Sequence, residues 1–176
     1  MLRLSDARNF FILIPLFFLS SYDANNSSSI AIEIANQPQF TVNKGCNITF
    51  DPKKNELTLG SKIAVNAQFS RARCIIRINT SSTGKQFRLV PLAFKGEVKK
   101  APAQVAISSF VVGDQPNRFL YESPLSGTPL KFDLTKKILL TNYTSKGKSI
   151  LGINLVLTTT GGELEVTDIK FALQQK

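Results

Sequence analysis

Between Arg71 and Lys100 the chain carries eight basic residues, Arg71, Arg73, Arg77, Lys85, Arg88, Lys95, Lys99 and Lys100, with Glu97 as the one acid among them. The segment from Arg71 to Asn79 alternates basic and apolar side chains. In an extended strand that alternation sends Ala72, Cys74, Ile76 and Ile78 to one face and Arg71, Arg73 and Arg77 to the other, with about 6.6 Å between alternate residues. Guanidinium groups in such a row suit carboxylate, sulfate or phosphate groups repeated along a polymer or spread over a membrane surface. The same charges would also keep a strand soluble and unpaired at its edge. Arg71, Arg73, Arg77, Lys85, Arg88 and Lys95 are therefore the candidate residues for binding an anionic ligand.

Other chemistry has little to stand on. The chain contains no His and no Trp. This removes Ser-His-Asp and Cys-His catalysis and most zinc sites, along with the usual general base near neutrality. Glycoside hydrolysis needs two facing carboxylates. Asp114 with Glu122, or Glu163 and Glu165 with Asp168, could be paired on sequence distance alone, but Asp114 in Gly113-Asp114-Gln115-Pro116-Asn117 reads as a turn residue. Ser145, Lys146, Lys148 and Ser149 could form a Ser-Lys dyad, yet no nucleophile elbow accompanies them, and a flexible loop accounts for them. Asn25, Asn26, Asn47, Asn79 and Asn142 each begin an Asn-x-Ser/Thr triplet, which chance also produces in a chain rich in these residues. The expectation is a protein that is not an enzyme and takes no metal and no cofactor. Nucleic acid is disfavoured as a partner, because no helical reading element or Gly/aromatic RNA-binding motif is present.

Cys46 and Cys74 are the only thiols. In an oxidising compartment such a pair forms a bridge, and the parity of the Arg71 to Asn79 segment puts Cys74 on the protected face. Two buried free thiols are the alternative.

The elements that must position these residues are strands. Of 176 residues, 43% are hydrophobic and 19% charged, a composition that folds, and the length is that of one domain. No stretch keeps a helical period for three turns. Strand patterns recur instead, first at Ile30 to Ile34, Gln39 to Val42, Asn47 to Phe50 and Glu56 to Leu59, then from Ile63 to Phe69 with Ile63, Val65, Ala67 and Phe69 on one face. After Arg71 to Asn79 come Gln86 to Phe94, Gln104 to Val112, Arg118 to Tyr121, Leu130 to Leu134, Lys137 to Leu140, Ser149 to Leu157 and Glu163 to Leu173. Asp51-Pro52-Lys53-Lys54-Asn55 and Gly161-Gly162 read as hairpin turns. In the last segment the apolar parity changes after Val166, which a bulge at Thr167 and Asp168 would explain. Short strands at this spacing favour a two-sheet antiparallel β-sandwich or jelly-roll-like domain.

At the N-terminus, Arg3 and Arg8 precede an apolar run from Phe10 to Leu19, followed by Ser20 and Ser21. That layout is a secretory signal peptide, too short for a bilayer span. The expected organisation is a signal peptide over residues 1–24, cut between 20 and 26, then a lead with edge strands over 25–43 and a sandwich domain over 44–176. The segment 1–24 contains two bases and two acids, so the net charge of +10 belongs to the rest of the chain.

Several patterns in order resemble a family of small secreted proteins known only as a domain of unknown function. They are Gly45-Cys46 followed by Asp51 and Leu57-Thr58-Leu59; Arg73-Cys74-Ile75-Ile76-Arg77-Ile78; and Gly84-Lys85-Gln86-Phe87 leading to Phe94-Lys95-Gly96. A Gly-bearing turn before Ile150-Leu151-Gly152-Ile153-Asn154-Leu155 and a closing hairpin through Phe171 complete the set, over residues 44–173. The family's first Cys pair is matched by Cys46 and Cys74. Its second is missing, with Ser145-Lys146-Gly147-Lys148 and Gln174-Gln175-Lys176 at those places. The resemblance implies a secreted β-sandwich and brings no activity with it. The function expected is attachment to an anionic polysaccharide or membrane surface outside the cytoplasm. The alternative is a protein-interaction module, an appendage subunit or effector, that pairs through edge strands such as Ile30 to Ile34.

Overall fold

The computed structural model describes residues 37–60 and 62–176, all within one unit that spans residues 34–176. The expected signal peptide and the Ile30 to Ile34 strand lie outside the described residues. Among the described residues there are eleven strands: β1 (Gln39–Val42), β2 (Ile48–Asp51), β3 (Glu56–Leu59), β4 (Ile63–Val65), β5 (Arg71–Asn79), β6 (Phe87–Lys100), β7 (Ala103–Val111), β8 (Asn117–Glu122), β9 (Leu130–Asp133), β10 (Ile150–Thr159) and β11 (Glu163–Gln175). They form two antiparallel sheets. The first has the order β1-β5-β10-β7-β8, and the second β2-β3-β11-β6-β9, with β4 beside β3 along the same edge of β11. The fold is the expected β-sandwich.

Its core follows from the alternation. Cys74, Ile76 and Ile78 of β5, Leu151, Ile153, Leu155 and Leu157 of β10, and Val105 and Ile107 of β7 line one inner face. Leu89, Phe94 and Val98 of β6 meet them from the other, together with Leu164, Val166, Ile169, Phe171 and Leu173 of β11. The change of parity in β11 is a bulge: pairing with β6 slips between Val166 and Asp168, so Thr167 is the extra residue, and Ile169 and Phe171 return to the core.

Three strand expectations are corrected. The run from Ile63 to Phe69 stops at Val65, because the Asn66 side chain accepts hydrogen bonds from the Gln68 and Phe69 backbone, each at 2.9 Å. This Asx turn throws Ala67 and Phe69 out to solvent. Lys137 to Leu140 is not a strand. Asp133 Oδ1 accepts the Thr135 N–H and hydroxyl, starting a 3-10 turn over Thr135–Lys137. The following segment crosses to the other sheet, and the Thr141 and Thr144 hydroxyls receive the Leu89 and Phe87 N–H groups in place of a ladder. Finally, Gly161-Gly162 joins strands of different sheets rather than a hairpin. Gly162 donates to Thr159 Oγ1 at 2.7 Å, and Thr159 donates to the Pro102 carbonyl at 2.6 Å, so the connection folds against the β6–β7 turn. The other turn is a true hairpin: β2 pairs with β3, and Asp51 Oδ1 accepts the Lys53 and Lys54 N–H groups.

Cys46 and Cys74 are bridged, with Cα atoms 5.2 Å apart. Cys46 lies where the chain leaves β1 in one sheet for β2 in the other, so the bridge fixes that crossing to β5. Asn43 reinforces it by donating its N–H to the Ile75 carbonyl and its side-chain amide to the Arg73 carbonyl.

Candidate functional site

The two-sheet topology divides the basic cluster. Arg71, Arg73 and Arg77 stand on the outer face of the β5 sheet. Arg88 and Lys95 stand on β6, in the opposite sheet, and point out from the other side of the sandwich. Lys85 sits in a connection at one end, in a polar cleft of about 570 Å³ shared with Lys146, Ser145 and Thr80.

The two outer faces differ in their electrostatics. On the β6 side Lys95, Lys99 and Lys170 each meet an acid, while Arg88, Lys100 and Lys131 have no carboxylate within ion-pair distance among the described residues. Lys95 lies 3.5 Å from Asp133, Lys170 3.7 Å from Asp168, and Lys99 3.4 Å from Glu163. Glu165 takes Lys99 at 3.0 Å and Lys62 at 3.3 Å. Arg88 instead bonds Gln174 at 2.7 Å and lies over the Tyr143 ring. Four of the five carboxylates weighed for catalysis are thus spent on lysines: Glu163, Glu165 and Asp168 as above, and Asp114 on Lys148 at 2.7 Å. Lys148 also pairs across a tight turn with Ser145, so the Ser145 to Ser149 stretch is a closed loop.

The bonds from Lys99 and, after it, Lys62 hold the Glu165 carboxyl below its ordinary range, against the opposing effect of burial. A carboxyl depressed in the folded state adds stability above its unfolded value and loses it as pH falls through the folded one. Glu165→Gln is therefore expected to be less stable than the parent near neutrality, with the gap closing below about pH 4, in urea unfolding across that range. A constant gap would show that the pairs contribute nothing through charge.

The β5 side is different. The register aligns Arg71 with Thr158, Gln104 and Glu122 across four strands, Arg73 with Val156, Ala106 and Leu120, Ile75 with Asn154, Ser108 and Arg118, and Arg77 with Gly152 and Phe110. Arg71, Arg73, Arg77 and Arg118 have no carboxylate within ion-pair distance among the described residues, and Glu122, the acid on this face, accepts from Gln104 at 2.9 Å.

Arg77 is the most constrained of the four. Its Nη1 donates to the Ile76 carbonyl at 2.9 Å and to Asn154 Oδ1 at 3.0 Å, and its guanidinium lies 5.0 Å from the centre of the Phe110 ring. Phe110 reaches it because the residue between them is Gly152, where a Cβ would run into the ring at Cζ and Cε2. Burial and then the neighbouring Arg73 lower the Arg77 pKa. Both effects penalise its charge until an anion arrives. Nη2 and Nε have no partner among the described residues, so three donors remain for one. Sequence reading found the arginines through their parity. It missed Asn154, Phe110 and Arg118, which join them only through strand order.

The fold and this face define an all-β sandwich module. No protein-family model and no curated protein matches the chain. Among solved structures it is similar to TmCBM61, a carbohydrate-binding module in complex with β-1,4-galactotriose. The identity is 10% and the TM-score 0.41, over 81% of this chain and 90% of that one. It is also similar to the enzymatically active domain of tailspike protein 4 of Bacteriophage CBA120, at 14% identity and a TM-score of 0.35 over 78% of this chain. That match spans 19% of the tailspike chain. No helix among the described residues is long and apolar enough to cross a membrane.

Proposed function

We propose that the chain is a non-enzymatic, exported binding module that attaches to an acidic polysaccharide through the outer face of the β5 sheet. One observation carries this reading: four arginines share a face without a carboxylate partner among the described residues, while on the opposite face Lys95, Lys99 and Lys170 are each paired with an acid. Gln104, Asn154 and Thr158 lie between the arginines and supply hydrogen-bonding groups suited to sugar hydroxyls. The row of arginines along the strands fits an extended polymer better than a compact ligand. The disulfide accords with an oxidising compartment.

The purified chain is expected to be retained on immobilised polygalacturonate at about 0.01 M salt and released near 0.15 M, as the screening length falls from about 30 Å to about 8 Å. Neutral galactan should not retain it at either concentration. Equal retention on anionic lipid vesicles, or none on polygalacturonate, would overturn the polysaccharide reading.

A further inference from the structure

A groove of about 300 Å³ opens beside the arginine face, walled by Phe110, Asp114, Asn117, Leu139, Leu140 and Asn142. We infer that this groove is a subsite for an uncharged pyranose ring, adjoining the acid-binding Arg77 through the shared wall of Phe110. The polymer recognised is then one that mixes uncharged with acidic sugars. This deepens the polysaccharide reading above and rests on it.

The chain builds the groove from its crossing segment. Ser109 Oγ donates to the Leu139 carbonyl at 3.1 Å, and Asn117 Nδ2 to the Leu140 carbonyl at 2.8 Å. The backbone polar groups are thereby held inward, and the two leucine side chains stand 64% and 47% exposed. With Phe110 they offer apolar surface of the kind that the C–H faces of a sugar ring cover. The rim is polar. Asp114 is fixed through Oδ1 to Lys148 and through Oδ2 to Asn142 Nδ2 at 3.2 Å, and the Oδ1 atoms of Asn117 and Asn142 have no partner among the described residues. Each can accept a hydroxyl proton. The size is at the lower end of ligand clefts, near 300 Å³, enough for one ring rather than a chain.

Charge decides which ring. Asp114 has both oxygens taken, Oδ1 by Lys148 at 2.7 Å and Oδ2 by Asn142, so Lys148 is neutralised and the groove offers a uronate no free cation, while the amide oxygens of Asn117 and Asn142 accept from a neutral sugar. On the other side of Phe110, Arg77 has the opposite preference. A polymer crossing the strands from β8 towards β5 meets the two in succession, over about three strand spacings of 4.8 Å.

Titration calorimetry of the full chain with two hexasaccharides at low salt tests this. Hyaluronan alternates glucuronate with uncharged N-acetylglucosamine, and hexagalacturonate bears twice its charge. The hyaluronan fragment is expected to bind at least as tightly despite that deficit. Leu139→Ser, at an exposed position that leaves the melting temperature unchanged, should weaken it about tenfold while sparing hexagalacturonate. Tighter binding of hexagalacturonate together with an indifferent Leu139→Ser would overturn the subsite and leave the arginine face standing. Binding of neither fragment would overturn both.

Discussion

Replacing Arg71, Arg73 and Arg77 together by Ser is expected to lower affinity for polygalacturonate about a hundredfold and to flatten its salt dependence. At an exposed face a single charged contact is worth roughly a fourfold to fivefold change, and three acting along one polymer multiply. The control is the pair Arg88→Ser and Lys95→Ser, which removes two charges of the same cluster in sequence. Because β6 belongs to the other sheet, and Lys95 is matched by Asp133, that variant should retain affinity within about twofold. Equal losses for the two variants would mean that net charge alone governs retention, and the face would lose its meaning. The folded state should tolerate the triple change. Arg71 and Arg73 are exposed, and Arg77 gives up its bonds to Asn154 and the Ile76 carbonyl and its place over Phe110.

Replacing Cys46 and Cys74 together by Ala is expected to have the largest effect on stability. The bridge closes a loop of separation 28, and releasing it restores freedom to the unfolded chain equivalent to about 3.5 kcal/mol in the entropy model. For a domain of this size that is a fall in melting temperature of roughly 10–15 °C. The site of the bridge makes the loss local as well as global. Cys46 marks the passage from one sheet to the other, and without it β1 is held against β5 by four ladder positions and the Asn43 bonds. Hydrogen exchange should therefore rise first along β1 and Asn43. A fall below about 3 °C would show that core packing around Cys74 carries the stability instead.

How far the sequence was legible depends on the range of the interactions that decide each feature. Gln39–Val42, Glu56–Leu59 and Arg71–Asn79 form strands with the bounds that alternation predicts, because a period-two pattern with one buried face is local information. The bulge at Thr167 was equally visible, since a change of parity has to be absorbed within the strand itself. The failures have local polar causes that hydrophobic pattern ignores. The Asn66 side chain stops β4 although Ala67 and Phe69 continue its parity, and Asp133 bends the chain ahead of Leu139 and Leu140.

The site shows the boundary most clearly. Composition excluded histidine chemistry, parity turned Arg71, Arg73 and Arg77 outward and Cys74 inward, and two cysteines admitted only one bridge. What tertiary structure alone decided is which neighbours share a face. Strands β5 and β6 follow each other in the chain yet enter opposite sheets, so Arg77 lies far from Arg88 in function. Its working companions, Asn154, Phe110 and Arg118, come from strands β10, β7 and β8, which begin 73, 26 and 40 residues after Arg77. Side-chain direction is set by the pleat, which is local. Adjacency is set by strand pairing across long loops, chosen by the joint burial of two apolar faces, and no run of residues records that choice.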